Sequence, residues 1–142
     1  MKTLATMFLL LPFLANAEYF ELREVVDPAK AVKTVTMPRS GEELGLSKEM
    51  IVSQAHIETA KIVEEDPDHP GIEITLNEEG AKRLAEATKN LVPDHSRIVI
   101  LIDGKPLTAP ILRSVPLGKR FRISCKDREE TEQITRELLK KK

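Results

Sequence analysis

Three histidines, His56, His69 and His95, are the side chains best suited to metal or acid–base chemistry in this chain. Two of them share a context. Pro67-Asp68-His69 lies three residues before Ile72, and Pro93-Asp94-His95 lies three residues before Ile98. If strands beginning at Ile72 and Ile98 were parallel neighbours, both Asp-His pairs would open at one end of a sheet. Asp68, His69, Asp94 and His95 could then ligate a divalent metal in a small metal-binding or metal-dependent hydrolytic protein. No short-spaced ligand motif accompanies them. The plainer reading is two polar turns, where Pro and Asp are common because they preset or tolerate turn geometry.

Other chemistries lack their residues. There is no G-x-S-x-G, and Ser40-Gly41 lies in an ordinary loop. The 23 acidic residues are spread along the chain, so no carboxylate pair stands out as acid and base. Neither glycine-rich phosphate motif is present. Beyond residue 17 the aromatics are Tyr19, Phe20 and Phe121, too few for stacking platforms. Lys119, Arg120 and Arg122 make a small basic strand face that reads as solvated. The 22 Lys+Arg nearly balance the acids, giving −1, which argues against a nucleic-acid partner. The expectation is a protein with no catalytic residues and no cofactor.

The first seventeen residues read as a secretory signal. Lys2 supplies the positive start, Leu4 to Leu14 the apolar run, and Ala15-Asn16-Ala17 a small-x-small cleavage site. Cleavage between Ala17 and Glu18 would leave Glu18 to Lys142. The apolar run is shorter than the ~20 residues of a membrane span, and no later stretch is long enough either. The chain is therefore expected to be exported, to the periplasm or beyond. Cys125 continues the alternation Phe121, Ile123, Cys125, so a buried thiol is expected; an intermolecular disulfide is the alternative if it is exposed.

The elements that must position these residues follow from periodicity. Tyr19–Val26 and Val32–Met37 read as strands, and Pro38–Gly45 as a loop. Met50–Ser53 reads as extended, Gln54–Thr59 as a helical turn, and Ala60–Glu65 as a strand. Ile72, Ile74 and Leu76 alternate with Glu73 and Thr75. Asn77 caps a helix whose apolar stripe is Ala81, Leu84, Ala85, Thr88, Leu91 and Val92. Ile98–Ile102 is apolar throughout, so both its faces are expected to be covered. Asp103-Gly104 turns the chain into Leu107–Leu112. Asp127 and Glu130 start a last helix with Thr131, Ile134 and Leu138 inward. The Ile72–Ile102 segment is expected to be a parallel, right-handed crossover. The sum is an α+β, two-layer sandwich: a mixed sheet with two main helices packed on it. Residues 18–46 would form N-terminal strands and a loop, and 47–142 the main α+β domain.

The runs GIEITLNEEGAKRLAEATKNL and RIVILIDGKPLTAPILRSVPLG, followed by a strand and an acid-capped helix, resemble the head of the first extracytoplasmic domain of SecD, a protein-export accessory subunit. Thr75–Lys82, Leu84–Thr88, Ile98–Lys105 and Thr108–Ile111 match its motifs, and Ile57 and Ala60 match more loosely. The resemblance spans about Ser47 to Leu139. It singles out the hairpin residues Asp103, Gly104, Lys105, Ala109 and Pro110. It implies a non-enzymatic domain that binds extended polypeptide or a protein partner at a sheet edge, or one that acts as an add-on to a membrane complex. SecD is a multi-pass membrane protein, so proton-driven export does not transfer to this chain. The return segment Ser114–Ser124, glycine-rich in the family, holds only Gly118 here.

Overall fold

The computed structural model describes residues 18–64, 66 and 68–140; the expected signal segment lies outside them. Eight strands and two α-helices follow one another. They are β1 (Phe20–Val26), β2 (Lys33–Thr36), β3 (Glu43–Ser53), β4 (Ile57–Val63), β5 (Gly71–Leu76), α1 (Glu78–Thr88), β6 (Ile98–Ile102), β7 (Lys105–Thr108), β8 (Arg120–Ser124) and α2 (Arg128–Leu139). They form two sheets, ordered β2-β3-β1-β6-β7 and β4-β5-β8. The α+β class read from the sequence is the one adopted, with two helices packed on β-structure.

The expected parallel crossover does not form. β5 pairs with β4 and β8, and β6 pairs with β1 and β7, every pair antiparallel. Both edges of each strand are therefore taken, and β5 and β6 sit in different sheets. Smaller differences have local causes. The loop before β3 is shorter than expected because Met37 N–H donates to the Glu42 carbonyl (2.8 Å) and closes a hairpin. The helical turn stops at His56, because Ile57 pairs with Leu76. The strand after the Asp103-Gly104 turn ends at Thr108 and resumes only as a bridge between Arg97 and Ile111.

β6 is covered on both faces, as its unbroken apolar run implies. Ile98 and Ile100 join the main core with Phe20, Leu22, Ile72, Ile74, Leu84 and Leu138. Val99 and Leu101 face a second, smaller core with Val35, Leu44 and Leu46. Each such side chain, fully buried, contributes about 1.5–3 kcal/mol relative to exposure. The second core is possible because the five-stranded sheet curls, bringing β2 near β7. Gly45 lets the β1–β2 connection pack closely over β3. A Cβ there would lie 2.5 Å from the Val26 carbonyl and 2.9 Å from the Pro28 Cα.

The helix starts are fixed by side chains that satisfy otherwise orphaned N–H groups. Asn77 Oδ1 accepts from Gly80 N–H (2.8 Å), and Asp127 Oδ1 from Glu130 N–H (2.8 Å). Glu78, Glu79, Glu129 and Glu130 lie in first turns, where the helix dipole favours anions. One short turn, Gln54–His56, joins the two sheets and holds both helices. Gln54 Nε2 donates to the Glu137 and Leu138 carbonyls at the end of α2 (2.9 and 3.2 Å), and Asn77 N–H donates to the His56 carbonyl (2.8 Å).

Candidate functional site: a groove beside the edge strand

β7 is an edge strand and a short one. It leaves β6 through a two-residue turn in which Asp103 and Gly104 both have positive φ (54° and 82°). Two successive positive φ values define the mirror-image turn that matches the twist of paired strands. Ile102 and Lys105 close the turn, and Pro106 follows. In the antiparallel alternation the nitrogen after the closing pair points away from β6, so Pro106 removes a donor from the open edge. A register shift between Ile100 and Leu101 interrupts the ladder further. The edge is thus blunted against strand addition, a device that protects exposed edges.

A groove of about 800 Å³ runs beside this strand. One wall is the β2–β3 turn, Met37 to Ser40; the other is β7, Pro106 to Thr108; Ser124 to Lys126 and Asp68-His69 lie beyond. The groove continues past Pro38 and Leu107 into a second section of about 330 Å³ flanked by Tyr19, Asp103 and Lys105. Its lining mixes apolar bodies (Met37, Leu107, Ile102) with cations (Arg39, Lys105, Lys126) that have no ion-pair partner among the described residues. Glu130 is engaged: its carboxylate accepts from Lys126 N–H at 2.8 Å.

Burial favours the neutral form of two titratable groups on the groove. Burial raises the Cys125 thiol above its ordinary value; a hydrogen bond with Thr131 opposes this, and the nearby Glu130 and Asp127 charges reinforce it. A protonated, buried thiol is a poor nucleophile. Cys125 is buried, as the strand alternation implied. Burial also raises Tyr19, with the Glu137, Asp103 and Glu130 charges adding to the effect.

The Asp-His candidates are not brought together. His69 Nδ1 lies 2.8 Å from Asp66 Oδ2, a local pair in the loop before β5. That hydrogen bond, with a second from Asp68 N–H, holds the Asp66 carboxyl below the ordinary aspartate range. Asp68 and His69 border the groove, while Asp94 and His95 belong to the loop before β6 in the other sheet. There Asp94 takes a positive φ of 62° and donates its N–H to the Leu112 carbonyl. Among the described residues no group of three or more His, Cys, Asp or Glu could hold a metal.

Of the hairpin residues, Asp103 and Lys105 flank the groove and Gly104 forms the turn tip. Ala109 packs against the second core, and the Pro110 carbonyl accepts from Ile98 N–H (3.3 Å). Arg97 and the Met37–Ser40 wall were not singled out from sequence. Arg97 Nε and Nη2 donate to the Ala109 carbonyl (3.1 and 3.0 Å), and Nη1 donates to Glu42 Oε2 (2.9 Å). A cation directly before a fully buried strand was the available signal, because its charge must find partners nearby.

Fold and groove together define a class, a two-sheet α+β head-type domain with a solvent-open groove along a blunted edge strand. The chain belongs to the family of the SecDF P1 head subdomain, whose model matches residues 30–140. It is 29% identical over 115 residues to the protein translocase subunit SecD of Acidaminococcus fermentans, covering 80% of this chain and 27% of that relative. It is also similar to SecDF in its super-membrane-facing crystal form (TM-score 0.63, 25% identity, 84% of this chain and 18% of that one). A second SecDF structure, of a membrane component that enhances protein export, gives a TM-score of 0.64 at 25% identity, over 84% of this chain and 60% of that one. The chain thus spans about a quarter of the curated relative's length. No helix among the described residues is long and apolar enough to cross a membrane.

Proposed function

We propose that this chain is an exported, non-enzymatic accessory domain of protein export that holds extended polypeptide in the groove beside β7. The observation that carries the reading is the groove itself, walled by the family's own hairpin in a chain of the SecDF head family. Because Pro106 removes an outward donor, contact is expected through client side chains in the groove rather than by addition of a strand to β7. The apolar lining suits large apolar side chains, and Arg39, Lys105 and Lys126 leave room for carboxylates alongside. Assembly with membrane subunits of the export machinery belongs to the same reading, supported by the names of the relatives.

A photoreactive side chain placed at Leu107 tests the binding. It should crosslink to a reduced, alkylated and permanently unfolded polypeptide. It should not crosslink to the same polypeptide when folded. The same probe at Lys61, on the outer face of β4, should give little crosslinking. Equal yields from the two positions, or none from Leu107, would remove the groove from the account. Export is tested separately: the protein recovered outside the cytoplasm should begin at Glu18, and an intact Met1 there would contradict it.

A further inference from the structure

The two groove walls belong to opposite edges of one sheet, and no backbone ladder joins those edges. Arg97 links them. Its two bonds to the Ala109 carbonyl grip the exit of β7 in a partly buried setting. Its third bond, to Glu42, grips the β2–β3 turn, and there the side chains are 26% and 49% exposed. Met37 packs against the second core, and the polar contacts of the turn are otherwise internal to it. Met37 N–H bonds Glu42 O, Gly41 N–H bonds Met37 O, and Glu42 N–H bonds Ser40 Oγ. Among the described residues, the Glu42–Arg97 pair is the one polar link from residues 37–42 to anything beyond β2 and β3.

We propose that Arg97 is the positioning residue of the groove and that its bond to Glu42 is a releasable latch setting the distance between the walls. This rests on the groove being the binding site, but its physics does not need a ligand. The arm to Ala109 is sheltered and doubled, so the β7 wall stays fixed. The arm to Glu42 is a half-exposed ion pair, which salt screens. Release frees Pro38–Ser40 to shift on the ends of β2 and β3, while Met37 stays packed on the second core and the ladders remain. A groove that must admit and discharge a chain of varied side chains needs one wall of this kind.

Pulsed electron spin resonance across the groove tests it. Labels at Arg39→Cys and Lys105→Cys, in a Cys125→Ser background, should give one narrow distance distribution at low salt. Raising the salt to about 0.5 M should lengthen or broaden it, since the Debye length falls to a few Å. Glu42→Gln should give the broad distribution at low salt, with no further response to salt and an unchanged melting temperature. A distribution that does not change with salt when Glu42 is intact, an unchanged distribution in Glu42→Gln, or the same salt response with and without that substitution, would overturn the latch. The salt arm needs no change at Glu42, so it remains decisive if that variant folds poorly. Because no polypeptide is present, failure of the latch is distinct from failure of the groove as a binding site.

Discussion

Thr88 shows how one side chain can do two jobs in this fold. It is fully buried, donates its hydroxyl to the Leu84 carbonyl (2.7 Å), and accepts from Leu117 N–H (2.9 Å). The second bond anchors the long segment between β7 and β8 to α1. Replacing Thr88 with Val keeps the shape and leaves the Leu117 N–H without its partner. Chemical denaturation should show a loss of about 1 kcal/mol, the low end of the penalty for an unsatisfied donor, because the Leu117 N–H is only partly buried. The sequence marked Thr88 only as a member of the apolar stripe of its helix. Its partner lies 29 residues away, and local periodicity carries no information about that. The same holds for Arg97, whose partners are 12 and 55 residues distant. Cys125, one residue past the end of β8, was legible because the alternation of Phe121 and Ile123 carries on to it.

At the level of elements, local chemistry was readable and partnership was not. Asn77, Asp127 and the Asp103-Gly104 turn were legible because each acts on N–H groups or dihedrals within a few residues. The pairing of β6 was misjudged for a physical reason. An apolar run buried on both faces suits a parallel strand, yet it suits equally an antiparallel strand between two cores. The main core on one face and the curl-enclosed core on the other cover Ile98–Ile102 here. Without that parallel neighbour, the two Asp-His turns fall in separate sheets and the metal arrangement loses its geometric basis. Cap strength can be measured directly. Asn77→Ala removes the acceptor for Gly80 N–H and the weaker contact to the Ala55 carbonyl. It should cost about 0.5–2 kcal/mol of stability, and Asn77→Asp should recover most of it. Full stability in Asn77→Ala would mean that tertiary packing alone fixes α1.

At the scale of the whole molecule, the curl of the five-stranded sheet makes the groove. It carries the β2–β3 turn over to β7, encloses the second core, and leaves a gap that Arg97 spans with side-chain bonds. The blunted edge keeps β7 from pairing with a stray strand. Family membership was legible from motifs in α1, β6 and the turn after it, and the groove was not, because its far wall, Met37–Ser40, carries no motif. The central claim is that extended polypeptide occupies this groove. Amide chemical shifts during titration with a permanently unfolded polypeptide test it most directly. Saturable changes are expected at Met37, Leu107, Thr108, Cys125 and Lys126. Changes confined to Thr59, Lys61, Glu73 and Arg120 on the outer face of the three-stranded sheet, or no saturable change anywhere, would contradict it.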